Sequence, residues 1–384
     1  MYTLLTPWPP QRNGIADYAR ELVAEGTTSV RLISEAIRPA KIADRVVAID
    51  ERTFLNDPGR RRLYHFGNNS DHTHLVPLFL RHPGHVVLHD PSLHYLAECV
   101  DRQIPGFFDA MLTADSSVDI ASLRRCWRGG LKAPMDYNEL RCLAWLKSAT
   151  SIIVHSEFAR RSVTPLLPGV PVNVVPHFAY LRRGIGDWRS RRTDARTRLG
   201  YSSNQFLIVT FGFVTRNKQY DSIVRAISRL EIGKRNKISY VIAGEINTGQ
   251  FDLMSSLGGL DTSVVELRGY VPLSVADDLM DAADLVMNLR YPTYGESSGA
   301  VARAQGAGAA IAVSDIGGFS EIPADTCFHL PARPDVSHAV AALIDRTFDD
   351  PNVVAQVRDR AWAHANGVLS PKRCSAAYEE IIYG

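Results

Sequence analysis

The 384-residue chain carries 43 Lys and Arg against 41 Asp and Glu, a formal net charge of +2. This balance leaves no electrostatic footprint for nucleic acid, and the length predicts two domains, each able to bury its own core. Five scattered cysteines (Cys99, Cys126, Cys142, Cys327, Cys374) include no CxxC pair, which argues for a reducing compartment and against disulfides or a zinc site. No apolar run reaches bilayer length and the first residues lack a signal-type apolar core. A cytoplasmic location is therefore expected, with peripheral membrane contact left open.

In chain order, residues 2–5 read as a short strand broken by Pro7, Pro9 and Pro10, and residues 17–24 have helical spacing. Between them lie Asn13 and Gly14, in the strand-to-helix loop where an α/β domain lets backbone approach a phosphate. Apolar runs follow at 30–34, 46–49 and 62–68. The strand at 86–90 ends in His89-Asp90 just before Pro91. Residues 93–111 and 137–147 read as helices, and 151–156 and 172–176 complete the first set of strands. Strands alternating with helices predict a mostly parallel sheet with helices on both faces.

Residues 180–200 lose the apolar pattern and carry arginines at 182, 183, 189, 191, 192, 196 and 198. The expected reading is a solvated linker with a surface helix rather than a dedicated anion patch. A second α/β series then runs through strands at 206–212, 238–244, 264–271, 283–289, 309–314 and 327–330, with helices at 219–230, 274–282, 336–348 and 352–366. The expected domains are 1–179, an Arg-rich linker 180–200, 201–368, and a final helix in 369–384 returning to the amino-terminal domain.

The groups that carry chemistry fall at strand ends. Gly212 to Lys218 follows the first strand of the second half, and a lysine beside free N–H groups at a helix start suits a diphosphate. Glu296 is an acceptor for hydroxyls, and Ser297, Ser298 and Gly299 offer amide donors where an Ala-rich helix begins; the plain alternative is a helix cap. Arg268 and Gly269 close another strand. His65, His72, His74, His82, His85, His89 and His94 crowd one segment; without Asp or Glu at ligand spacing no metal is expected and the others read as core or surface histidines, whereas His89, which ends a strand at a loop expected to face a cleft, reads as a functional residue. Asp90 either orients His89 or caps the next turn, and Glu157 reads as a cap for a helix at 158–163.

Taken in order, Asn13-Gly14-Ile15, His89-Asp90, Val154-His-Ser-Glu-Phe158, Val174-Val-Pro-His177, residues 212–218, Ala243-Gly244, Arg268-Gly269-Tyr270, Asp284-Leu-Val and residues 292–308 resemble the retaining GT-B glycosyltransferases of family-4 type (glycosyl transferases group 1). The resemblance spans nearly the whole chain. It implies two Rossmann-like domains facing each other across a cleft. Lys218 would then neutralise the donor diphosphate, the 297–299 amides contact phosphate and sugar, and Glu296 and His89 meet the sugar. Gly14, Gly212, Arg216, Arg268, Gly269 and Arg303 complete the donor side, with Asn13 and Asp90 on the acceptor side.

Two departures stand out. Arg303 occupies the place of a ribose-binding glutamate, one residue short of the family spacing. Phe213 replaces an arginine whose charge Arg216 is expected to supply. The implied partners are a UDP- or GDP-linked sugar and a saccharide, lipid-linked or small-molecule acceptor, without cofactor or metal. The setting implied is bacterial surface polysaccharide or glycosylated natural-product synthesis. Two other readings of the same fold stay open: an inactive nucleotide-sugar-binding or partner protein, and a nucleotide-sugar epimerase.

Overall fold

Unbroken apolar runs become strands covered on both faces, as parallel sheets require. The computed structural model describes residues 1–114, 141–182, 186–246, 251–293 and 295–384. Its first sheet contains β1 (Tyr2–Leu5), β2 (Val30–Ile33), β3 (Ala40–Ala43), β4 (Val46–Ala48), β5 (Arg62–Phe66), β6 (His85–Leu88), β7 (Ser151–Val154) and β8 (Val172–Val174). Their order is β3-β4-β2-β1-β5-β6-β7-β8. Every neighbouring pair is parallel except β3–β4. The second sheet contains β9 (Phe206–Phe211), β10 (Ile238–Ala243), β11 (Val265–Gly269), β12 (Leu285–Asn288), β13 (Ile311–Ser314) and β14 (Phe328–Leu330). It is parallel throughout, in the order β11-β10-β9-β12-β13-β14.

Strand order reverses beside β1 in the first sheet and between β9 and β12 in the second. Open α/β sheets bind ligands at such switch points, outside the carboxyl ends of the strands.

The first compact unit comprises Met1–His177, Tyr294–Ser297 and Pro371–Gly384; the second comprises Phe178–Thr293 and Ser298–Ser370. In the first, Phe66, Phe79 and Trp145 meet edge to face in a core that also buries Leu5, Tyr64, Leu88 and Ile152. Helix Pro371–Tyr383 belongs to this unit, and its Tyr378 hydroxyl lies 2.8 Å from that of Tyr18 on helix Gly14–Glu25. In the second unit, alternate residues of each strand feed opposite layers. Ile208, Tyr240, Ile242 and Met287 enter one cluster, while Leu207, Val209, Val241 and Val286 enter the other.

The 180–200 stretch departs from a solvated linker. Helix Trp188–Leu199, capped by the Asp187 carboxylate, lies in the second unit with Arg191 1% and Arg196 4% exposed. Arg191 donates to Asp281 Oδ1 and the Ala307 carbonyl; Arg196 donates to Asp284 Oδ2 and to the Ala282, Ser202 and Gln205 carbonyls. Arg192 takes Asp284 Oδ1 at 2.6 Å, and the Leu207 N–H takes Oδ2 at 2.7 Å. A buried guanidinium is tolerated only when its donors are matched in this way. Arg183 lies outside the described residues.

The expected 93–111 helix is two helices, His94–Val100 and Phe107–Ala114, separated by a turn in which Gly106 has φ +82°. Of the 137–147 helix, residues 137–140 lie outside the described residues, and Ala144–Ser148 forms a short 3-10 helix. Ser156, not Glu157, caps helix Glu157–Val163; Glu157 is its first residue and pairs with Arg160 at 2.7 Å. Among the described residues, no helix is long and apolar enough to cross a membrane.

Candidate functional site

The loops after β9 and β12 lead to most of the second unit's candidate residues, and these strands are neighbours in the sheet. Asn217 ties the two loops together: its carbonyl accepts from Tyr291 N–H at 2.8 Å, and its side-chain Nδ2 donates to the Pro292 carbonyl at 3.3 Å. Lys218 closes the 3-10 helix Arg216–Lys218 and is 5% exposed, with Nζ donating to the Phe211 carbonyl at 3.1 Å. Gly212 adopts φ +97°, a left-handed conformation that favours glycine, and a Cβ there would lie 3.2 Å from Lys218 Nζ. Behind it, a Cβ on Gly244 would lie 2.1 Å from the Gly212 carbonyl oxygen. The pair Gly212–Gly244 thus lets the ends of β9 and β10 approach, and Gly212 N–H donates to the Ala243 carbonyl at 2.9 Å. Arg216 and Phe213 are exposed on the same loop, Phe213 at 58%.

After β12, Ser298 caps helix Gly299–Ala307: its Oγ accepts from Val301 N–H at 3.3 Å and lies 3.3 Å from Asn288 Oδ1. A Cβ at Gly299 would meet nothing within 4 Å, so the first turn's backbone is open to an approaching group. Its N–H groups and the helix dipole favour an anion there.

Arg268 and Arg303 are held otherwise. Arg268 donates to Glu266 Oε1 at 2.6 Å and to the Tyr201 hydroxyl at 2.8 Å, while Gly269, with φ +59°, gives its carbonyl to Gly244 N–H. The Arg303 guanidinium sits 4.3 Å from the Tyr180 ring centroid and 3.5 Å from Asp277 Oδ1. Its charge is matched by a carboxylate of this chain, a partner invisible in local sequence.

In the first unit, Asn13 caps helix Gly14–Glu25 through Oδ1 and donates Nδ2 to Asp71 Oδ2 at 2.6 Å. A Cβ at Gly14 would meet nothing within 4 Å. The segment that holds Glu296 and Ser297 also belongs to this unit, and Tyr294 lies outside the described residues. Ser297 donates N–H and Oγ to the His89 carbonyl at 3.3 and 3.2 Å. Asp90 does not orient His89. Its Oδ2 accepts Asn68 N–H at 2.7 Å. Burial pushes the Asp90 carboxyl up to about 6 against that hydrogen bond, with the Glu296 charge adding to the rise.

His89 contacts other histidines instead. Its Nδ1 lies 3.1 Å from His155 Nε2 and its Nε2 lies 3.3 Å from His65 Nδ1. Tyr18 packs against His65, His89, His155 and His177, with ring centroids 4.7 to 5.8 Å away. Burial holds His65 and His89 well below the usual imidazole range and lowers His155 to about 4 and His72 to about 3. The sequence showed the crowding between residues 65 and 94 but not the contribution of His155 and His177, which only the neighbouring ends of β7 and β8 bring in. Among the described residues, no group of three or more His, Cys, Asp or Glu is placed to hold a metal ion.

A family model described as "Glycosyl transferases group 1" matches residues 205–350, which take in β9 to β14. No curated protein matches the sequence. Solved structures do match the fold. WaaG, a glycosyltransferase involved in lipopolysaccharide biosynthesis, is 14% identical with a TM-score of 0.67 over 100% of both chains. Sucrose-phosphate synthase from Thermosynechococcus elongatus is 13% identical with a TM-score of 0.68, over 99% of this chain and 97% of that one. Anabaena HepE, solved in complex with UDP and glucose, is 15% identical with a TM-score of 0.64, over 99% and 98%. The fold is GT-B. At these identities the likeness establishes architecture, and the chemistry has to be argued from the residues.

Proposed function

We propose that the protein is a glycosyltransferase that moves a sugar from a nucleotide-sugar donor to an acceptor hydroxyl with retention at the anomeric carbon. The observation that carries this reading is the pairing of the Lys218 loop with the loop that leads to helix Gly299–Ala307, joined through Asn217 at the β9–β12 switch point. That pairing falls inside the segment matched by the group 1 glycosyl transferase model. A cation and an open helix start on adjoining loops suit a diphosphate, whose leaving charge they would stabilise without a metal.

Lys218, Gly212, Arg216, Ser298 and Gly299 then form the phosphate end of the donor site. Glu296, Ser297 and the His89 segment orient the sugar, and Asn13 and Asp90 serve the acceptor. Arg268 and Arg303 support the second unit through Glu266, Tyr201, Asp277 and Tyr180 rather than supplying free charge. A UDP- or GDP-linked sugar is the donor class this reading favours, and surface polysaccharide or natural-product glycosylation is its setting.

Thermal-shift titration with UDP-, GDP- and dTDP-sugars, followed by transfer assays on hydroxyl acceptors, tests the reading. Stabilisation by one donor family with acceptor-dependent release of nucleotide is expected. Binding without turnover across the acceptor panel would support the inactive binding protein. Nucleotide release without acceptor would point to the epimerase.

A further inference from the structure

The histidine cluster carries more information than its burial, because one of its hydrogen bonds has a fixed polarity. His155 Nδ1 lies 3.0 Å from the Val175 carbonyl oxygen, which only accepts, so this ring carries its proton on Nδ1. A neutral ring protonated there has a bare Nε2, and His155 Nε2 faces His89 Nδ1 at 3.1 Å. His89 must therefore also be protonated on Nδ1 and bare on Nε2. His65 Nδ1, 3.3 Å from that bare nitrogen, must donate in turn. The chain predicts a bare His65 Nε2 at its far end, and that atom is buried without a partner.

We infer that His155 is a positioning residue that locks His89 in its Nδ1–H form, with His65 closing the chain, so that His89 is held as an oriented neutral ring that neither gives nor takes a proton. Both of its nitrogens are occupied by other imidazoles, which leaves no ring atom for acid–base work. The groups facing the three rings keep them uncharged. Tyr18 packs on all of them and shares its hydroxyl with Tyr378. His72 gives its Nδ1 to the His65 carbonyl, and His177 lies 5.4 Å from His155, ring to ring. Burial disfavours a charge on His65 and His89, and a proton on any neighbouring histidine would disfavour it further. Protonating any member would set two N–H groups against each other or add charge to an apolar pocket.

Part of this inference, the consequence for transfer, rests on the proposed function; the proton order does not. Long-range proton–nitrogen NMR on the full chain with ¹⁵N-labelled histidine reads the order directly. Protonated Nδ1 and bare Nε2 at His65, His89 and His155, unchanged from about pH 8 to about pH 6, is the expected result. An Nε2–H form at His89 would overturn it. His155→Leu should let His89 average between its two forms and lower kcat between about 10- and 100-fold at unchanged donor KM. His155→Gln keeps an acceptor at that position and should restore the single Nδ1–H form and most of kcat. A His155→Leu variant with unaltered His89 signals and unaltered kcat would refute the positioning role. If the wild-type proton order is found but no donor is turned over, the proton order stands and the transfer role fails.

Discussion

Gly244→Ala probes how tightly the candidate phosphate loop is built. A Cβ at residue 244 would stand 2.1 Å from the Gly212 carbonyl oxygen and 2.6 Å from its carbonyl carbon. Those contacts fall short of ordinary van der Waals separation by roughly 1 Å or more. Both neighbours are backbone, so no side-chain rotation relieves the clash. The β9 end must move, and with it the Gly212 N–H bond to the Ala243 carbonyl and the seat of Lys218 Nζ. Overpacking of this kind costs about 1–3 kcal/mol. For a unit of this size that corresponds to a lowering of the thermal midpoint by roughly 2–4 °C per kcal/mol. Differential scanning calorimetry reads the stability, and donor titration of the same variant reads the loop. A lower midpoint together with weaker donor binding is expected. A variant with the wild-type midpoint and wild-type donor affinity would show that the loop is not set by this contact, and the phosphate-site geometry argued from it would have to be abandoned.

Three further outcomes follow from the same geometry. Lys218→Met should lower donor turnover about 100-fold or more in steady-state assays while leaving the fold's circular dichroism unchanged, because it removes one preorganised cation from the diphosphate; full activity would dismiss Lys218 from the site. Asp90→Asn should flatten the dependence of stability on pH between about 4 and 6. The folded carboxyl titrates at about 6, above its usual value, so Asp90 favours the native state fully only below the unfolded value, and that contribution is lost as pH rises through 6. Chemical denaturation across that range checks the sign, and an unchanged slope would contradict it. Tyr378→Phe should cost about 1–2 kcal/mol by removing the hydrogen bond between the buried Tyr18 and Tyr378 hydroxyls, 2.8 Å apart; urea unfolding within error of wild type would show that this bond does not stabilise the unit.

Most strands were legible because parallel strands buried on both faces appear as plain apolar runs: 206–212 is β9, 238–244 contains β10 and 309–314 contains β13. The exception among strands is β3, an exposed Ala-Lys-Ile-Ala edge that pairs antiparallel with β4 and shows no apolar signature. Polar partnerships were far less readable. The Arg191–Asp281 and Arg196–Asp284 pairs join residues 90 and 88 positions apart, so an arginine-rich stretch looked solvated although Arg191 and Arg196 within it are buried. The same limit applied at the site. The loops at Gly212, Lys218 and Ser298 stood out by local composition, whereas the partners of His89 and Arg303 depend on which strand and helix ends the topology brings together. Sequence marks the groups able to do chemistry; the fold decides which of them are already occupied by one another.

The return of helix Pro371–Tyr383 to the first unit has a consequence for the order of synthesis. Every strand of that unit is made before β9 begins, yet Tyr378, which closes over Tyr18 behind the histidine rings, leaves the ribosome only after the whole second unit. During elongation the second unit has its full set of strands and can close its two apolar layers, while the first keeps an aromatic face uncovered. The histidine chain is thus enclosed last, and a chain halted before residue 371 would carry a complete second sheet beside an unsealed first one.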